Sequence, residues 1–181
     1  ENGNVVSYSF DLKTGLIKEL NRQSTAGALP CHLSLDSTGD WLFVVNYLSG
    51  SVCLFPVQDN GEIGPMADQV HHVGQSIRSD RQEGPHPHFV LTELSCNYHL
   101  VPDLGTDEIY LYRLDRKENR LLLHNSVKTK LGAGPRHIAF HPNGSWVYVI
   151  HELDSTIGVY SFDKERGSLS LIQVVSTLPS N

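Results

Sequence analysis

A segment rich in histidine and arginine has the clearest potential for chemistry in this sequence. Residues 71–88 contain four His and two Arg. The guanidinium group of Arg presents a planar set of donors that suits a carboxylate or a phosphate, and loops carry function more often than strands do. The segment therefore predicts an anion-binding site, with a solvated spacer as the alternative. Its candidate substrate contacts are His72, Arg78, Arg81 and His86.

Arg136 and Glu152 form a second candidate pair. Arg136 precedes the first predicted strand of one unit and Glu152 follows the second, so both are expected at the same edge of that unit. A carboxylate beside a guanidinium is either a structural ion pair or an acid or base next to an anion clamp. His137, the neighbour of Arg136, is a further candidate substrate contact.

Two aspartates occupy the corresponding edge of the preceding unit. Asp103 and Asp107 fall at the end of a predicted strand and in the turn that follows it. Asp side chains in turns accept hydrogen bonds from nearby backbone amides, so turn capping is the favoured role for both. Asp103 is also kept as a candidate substrate contact.

The histidine spacing raises the question of a metal site. His86 and His88 are two residues apart, so on a strand they would point the same way and could share an ion with His71 or His72. The spacing matches no zinc signature, however. The sequence therefore predicts no metal.

A repeated unit must position these residues. A proline-containing turn, polar residues with His and an apolar strand recur at Pro30, Pro85 and Pro135, in steps of 55 and 50 residues. A second apolar marker recurs in steps of 47, 57 and 48 residues, at Val5, Val52, Ile109 and Ile157. Self-similarity at such a period indicates a repeat architecture.

The clearest unit predicts four strands, at 137–141, 146–151, 156–163 and 168–175, and no window has helical periodicity. Four strands in about 50 residues are typical of a propeller blade, and a sandwich or barrel is the alternative. We expect an all-β propeller domain over residues 1–181, with four-stranded antiparallel blades near 1–20, 30–75, 85–125 and 135–176. These ranges amount to about three and a half blades, as expected for a fragment or half of a paired assembly, whose exposed edges would self-associate.

Composition excludes several classes of partner. The net charge is −6 and no basic run exists, which argues against nucleic acid. No apolar segment approaches 18 residues, so no membrane span is expected. Cys31, Cys53 and Cys96 are scattered over different units, which predicts reduced, buried thiols in a cytoplasmic protein.

Several strings, in order along the chain, resemble the lactonase family of seven-bladed β-propellers, which includes 6-phosphogluconolactonase and 3-carboxy-cis,cis-muconate lactonizing enzyme. The strings are residues 46–52, 72–76, 81–82, 85–88, 103–107, 134–137 and 151–153. The resemblance implies a ring of seven blades, no cofactor, and catalytic groups at His88, Arg136 and Glu152.

The function implied is hydrolysis of a phosphorylated sugar lactone, a small anionic substrate. His88 or Glu152 would activate water, and the residues do not decide between them. A muconate-type lactonizing enzyme is the first alternative, and a non-catalytic binding propeller is the second.

Overall fold

A computed structural model describes residues 3–95 and 97–179. These residues contain fourteen β-strands, joined by turns and loops, and no helix. Within these ranges no helix is therefore available to cross a membrane. The strands are β1 (Asn4–Phe10), β2 (Ile17–Ser24), β3 (Pro30–Leu35), β4 (Trp41–Asn46), β5 (Ser51–Pro56), β6 (Asp68–His71), β7 (Leu91–Thr92), β8 (His99–Asp103), β9 (Glu108–Asp115), β10 (Arg120–Lys128), β11 (Pro135–Phe140), β12 (Trp146–His151), β13 (Thr156–Asp163) and β14 (Ser168–Ser176).

The strands form four antiparallel sheets, and each strand pairs with its neighbour in sequence. We call these sheets blade 1 (β1–β2), blade 2 (β3–β6), blade 3 (β7–β10) and blade 4 (β11–β14). The prediction of an all-β fold with four-stranded antiparallel units is thereby confirmed. In blade 4 the predicted strand ends lie within two residues of the observed ones.

The core lies between successive blades, as β4 shows most clearly. All six residues of β4 are buried. Because successive side chains of a strand point to opposite faces, Phe43 packs in the cluster shared with blade 3, whereas Val44 packs in the cluster that contains Val5 of blade 1. A strand covered on both faces is apolar at nearly every position, as the sequence of β4 is.

Blade 4 is covered on one face only. Val147 and Val149 of β12 are buried against blade 3, whereas Trp146, Tyr148 and Ile150 are exposed. The exposed side chains are as apolar as those that β4 buries. The far face of blade 4 is therefore an apolar sheet surface without a partner among the described residues.

Strand register identifies the equivalent positions of the blades. Pro30, the first residue of β3, pairs with Asn46, the last residue of β4. Pro135, the first residue of β11, pairs with His151, the last residue of β12. A proline opposite the last residue of the second strand therefore marks the start of a blade.

Blade 3 corrects one sequence-based expectation. Its second strand ends at Asp103, which bridges to Pro87 and not to Pro85. The equivalent prolines are therefore Pro30, Pro87 and Pro135, in steps of 57 and 48 residues, which match the last two steps of the apolar marker. Pro85 is not equivalent to Pro30 and Pro135 because it belongs to the long connection between β6 and β7. The backbone of this connection is fixed to β8 one residue later, where the His86 amide donates to Asp103 Oδ1 at 2.7 Å.

Candidate active site

A pocket of about 320 Å³ opens where the first strands of blades 2, 3 and 4 begin. It brings together the three predicted catalytic residues and one arginine from the connection between blades 2 and 3. The pocket is lined by Leu29, Pro30, Cys31, Tyr47, Arg81, His88, Arg136 and Glu152.

Blade geometry explains why distant residues meet here. Cys31, His88 and Arg136 each directly follow the proline that starts their blade, so they occupy one position in three successive blades. Tyr47 and Glu152, which directly follow the second strands of blades 2 and 4, also occupy equivalent positions. The Tyr47 amide donates to the carbonyl before one such proline at 2.9 Å, and the Glu152 amide does so at 2.8 Å in blade 4.

The Glu152 carboxylate is shared between two arginines. Arg81 Nη2 donates a short hydrogen bond to Glu152 Oε1. Arg136 Nε lies 2.7 Å from Glu152 Oε2, but its N–H is not directed at that oxygen, so this contact is an ion pair without a good hydrogen bond. Two cations around one anion leave the cluster with an excess of positive charge.

The same contacts govern the ionisation of Glu152. Burial raises the pKa of this carboxyl, but the hydrogen bond from Arg81 and the charges of Arg81 and Arg136 outweigh burial, so the pKa lies below its usual value. Glu152 is therefore ionised at neutral pH. A carboxylate held in this way is a weak base.

The surroundings of His88 favour its neutral form, whereas those of Glu152 favour the charged form. Burial lowers its pKa, and the nearby positive charge of Arg136 lowers it further. The imidazole is therefore neutral at pH 7. Its ring stands edge-on to Tyr47, with centroids 5.7 Å apart, and to His137, with centroids 5.2 Å apart.

Hydrogen bonds of buried polar residues hold Arg81 at the pocket. The neighbouring Gln82 has no exposed surface, and its Nε2 donates to the Leu104 carbonyl at 2.9 Å. Asp107 accepts hydrogen bonds from Ser76 of the connection at 2.5 Å and from the amide of Gly134 at 2.7 Å. The connection is thus fastened to blades 3 and 4, which fixes the place of Arg81.

His72 and Asp103, two of the predicted substrate contacts, lie outside the pocket. His72 Nδ1 is 2.6 Å from Asp103 Oδ2, and neither side chain has exposed surface. Asp103 Oδ1 also accepts hydrogen bonds from the amides of Gly105 and Thr106. These contacts give Asp103 the turn-capping role that the sequence favours, and they tie blade 2 to blade 3.

Three further predicted contacts surround the pocket without lining it. His86 is nearly buried and stacks on the Tyr47 ring with centroids 4.4 Å apart. Arg78 does not line the pocket and pairs with Asp80 at 3.2 Å. His137 lies behind His88 and also borders the open face of blade 4. Of the six predicted substrate contacts, only Arg81 lines the pocket.

Two lining residues, Tyr47 and Cys31, were missed as site residues by the sequence analysis. Cys31 is exposed, so the expectation of a buried thiol is wrong for it, whereas Cys53 is buried as expected and Cys96 lies outside the described residues. Cys31 is exposed because it opens onto the pocket at the position that His88 and Arg136 occupy in later blades. Alignment of the repeats on Pro87 was the signal that could have found it.

Metal binding has little geometric support. Over residues 3–95 and 97–179, no three His, Cys, Asp or Glu side chains are placed to hold an ion together. His86 Nδ1 faces the Tyr47 carbonyl at 3.1 Å, and His72 is tied to Asp103.

Comparison with known proteins identifies the family. The family model described as "Lactonase, 7-bladed beta-propeller" matches residues 1–181. The chain belongs to this lactonase family. A 6-phosphogluconolactonase of Bacillus subtilis is 37% identical over 179 residues, which are 99% of this chain and 50% of that protein. A 6-phosphogluconolactonase of Formosa agariphila is 32% identical and aligns with 88% of this chain and 46% of its own length.

Solved structures agree with the assignment to the lactonase family. The periplasmic gluconolactonase of Pseudomonas aeruginosa superposes with a TM-score of 0.90 at 29% identity, over 99% of this chain and 51% of that one. A Lactobacillus plantarum protein superposes with a TM-score of 0.91 at 26% identity, over the same shares. The chain thus spans about half the length of the relatives it matches.

Proposed function

We propose that this lactonase-family chain supplies the active site of an enzyme that hydrolyses a phosphorylated sugar lactone, as the relatives named 6-phosphogluconolactonase do. The observation that carries the proposal is the convergence of Arg81, Arg136, Glu152 and a neutral His88 in one pocket. An anionic lactone needs cationic groups for its phosphate and its developing oxyanion, and it needs a base for water.

The two arginines take different tasks in this proposal. Arg81, on the connection between blades 2 and 3, binds the phosphate, which is charged before the reaction begins. Arg136, whose charge is close enough to His88 to lower the histidine pKa, is assigned to the reacting carbonyl. Glu152 holds both guanidinium groups in place through its two oxygens.

His88 is the base in the proposed mechanism. It takes a proton from water as the water oxygen attacks the lactone carbonyl carbon, and Arg136 stabilises the resulting oxyanion. The intermediate then collapses, and the bond between the carbonyl carbon and the ring oxygen breaks. His88 returns its proton to that ring oxygen, which becomes a hydroxyl group, and the other product group is a carboxylic acid that ionises in solution.

Enzyme assays of full-length variants test the proposal. His88→Ala should lower kcat for the phosphorylated lactone by about 10²–10⁴, after subtraction of spontaneous hydrolysis. Glu152→Gln should lower kcat/KM because both arginines lose their anchor. His71→Ala and Glu118→Gln are the matched controls, since both side chains are exposed and outside the pocket.

Two results would contradict the proposal and point to the alternatives. Unchanged turnover in both His88→Ala and Glu152→Gln would leave the pocket with a binding role. Turnover of a carboxymuconate in the wild type, without hydrolysis of the sugar lactone, would indicate the lactonizing reaction.

A further inference from the structure

Tyr47 contacts two histidines at or near the pocket, His86 and His88, although no sequence motif marks it as a site residue. Its ring stacks on His86 at 4.4 Å, with the planes 9° apart, and stands edge-on to His88 at 5.7 Å. Its backbone carbonyl also faces His86 Nδ1 at 3.1 Å. One side chain thus lies against the histidine that we propose as the base and against the end of the connection that carries Arg81.

Tyr47 and Arg81 line the same pocket. Glu152, and after it the hydroxyl of Tyr47, are the partners that raise the pKa of Arg81. The guanidinium of Arg81 thus has a carboxylate of blade 4 as its hydrogen-bond partner and a phenol of blade 2 in the same pocket. Tyr47 and Glu152 both reach this pocket because each directly follows the second strand of its blade.

We propose that Tyr47 is a positioning residue of this pocket. Its hydroxyl orients Arg81 toward the anionic group of the substrate, and its ring holds the imidazole of His88. The inference rests on the proposed function for the identity of the substrate, but the contacts of Tyr47 do not depend on it.

The two parts of the Tyr47 side chain should have separable effects. Loss of the hydroxyl should weaken binding only of the charged substrate group, because Arg81 then lacks the proposed contact with Tyr47. Loss of the ring should also disturb His88, which would slow the chemical step for any lactone. A merely structural tyrosine would affect charged and uncharged substrates equally.

Two variants and two substrates test this separation in the full-length protein. We expect Tyr47→Phe to raise KM for the phosphorylated lactone about fivefold to tenfold, and to change kcat and the KM for the unphosphorylated lactone by less than about twofold. Tyr47→Leu should in addition lower kcat for both lactones by about tenfold or more. Tyr8→Phe, at a tyrosine that is 52% exposed on blade 1, is the control.

A double variant and a binding measurement complete the test. Tyr47→Phe should have no further effect on KM in an Arg81→Ala background, since the hydroxyl acts through Arg81. Equal effects of Tyr47→Phe on both lactones, or additive effects in the double variant, would overturn the inference. If the wild type hydrolyses neither lactone, the proposed function fails by itself. Calorimetric binding of 6-phosphogluconate then tests the positioning role of Tyr47. Equal affinities of Tyr47→Phe and the wild type would exclude that role.

Discussion

Glu152 arranges the charges of the pocket at the scale of single residues. Its two oxygens face Arg81 and Arg136, and its pKa stays low although it is partly buried. His88 is the only lining residue that combines a neutral state at pH 7 with the basicity of an imidazole. The proposed division of labour between His88 and Glu152, which the residues alone leave open, is therefore based on their neighbours.

The pH dependence of turnover should identify the base. His88 must be neutral to accept a proton, and its pKa lies below the usual 6.5. Turnover should therefore be constant around and above neutral pH, and it should fall as the pH drops through the pKa of His88 in the free enzyme. Stopped assays of kcat/KM between pH 4 and 8 measure this limb, which should disappear in His88→Ala. A limb that persists unchanged in this variant would assign the titration to another group.

Lysine substitutions should separate the two arginines. Lysine keeps the charge but lacks the planar set of donors. Arg81→Lys should raise KM for the phosphorylated lactone by about tenfold, because the group that Arg81 is proposed to bind is charged in the ground state. Arg136→Lys should instead lower kcat by about tenfold to a hundredfold, because Arg136 is proposed to meet charge that develops in the transition state. Identical kinetic effects of both variants would contradict this assignment.

The connection between blades 2 and 3 is the element on which the pocket depends, because it carries Arg81. It is packed against the turn after β8 so closely that a side chain does not fit there. A Cβ on Gly105 would lie 1.9 Å from the carbonyl oxygen of Gly84 and 2.9 Å from the amide nitrogen of His86. Glycine is required at position 105 for this backbone contact.

A pair of glycine substitutions tests that contact. Gly105→Ala should push the connection away from blade 3, lower the free energy of unfolding by about 1–3 kcal/mol, and reduce kcat/KM because Arg81 moves with the connection. Gly84→Ala is the control, since a Cβ there meets nothing within 4 Å. Thermal melts and assays of both variants provide the comparison. Equal behaviour of the two variants would show that the contact is not needed.

The whole molecule presents apolar sheet surfaces at both ends of its row of blades. Trp146, Tyr148 and Ile150 are exposed on blade 4, and Leu33 and Leu35 are exposed on blade 2 beside the two-stranded blade 1. By contrast, every residue of the second strands β4 and β8 of blades 2 and 3 is buried. Surfaces and edges of this kind favour association in water.

We therefore expect the isolated 181-residue chain to self-associate. Light scattering should show an apparent mass that rises with concentration at micromolar levels. Ile150→Lys together with Tyr148→Lys should reduce the effect, because charges would stand on the uncovered face of blade 4. Lys substitutions at Leu12 and Leu16, which are exposed in the β1–β2 turn, serve as the control. A concentration-independent monomer would refute this expectation. The cytoplasmic location also stays a prediction, since one relative of similar fold is periplasmic.

The sequence determined the blades and the candidate catalytic residues. Strands that pair with their neighbours along the chain depend on local turns and on alternating apolar residues, both of which are visible in the sequence. The ordered strings of the lactonase family also indicated His88, Arg136 and Glu152, which the structure places in one pocket.

Only the tertiary structure decided which of the remaining polar residues face the pocket. His72 and Asp103 stand in strings of the same set as Arg81, but they are buried against each other, whereas Tyr47 and Cys31 are open to the pocket. The reason is that most of these residues lie at strand ends or in connections, where contacts such as the buried His72–Asp103 pair decide which side chains turn inward. The register of blade 3 depends on the path of the connection before Pro87, and buried contacts between blades fix that path.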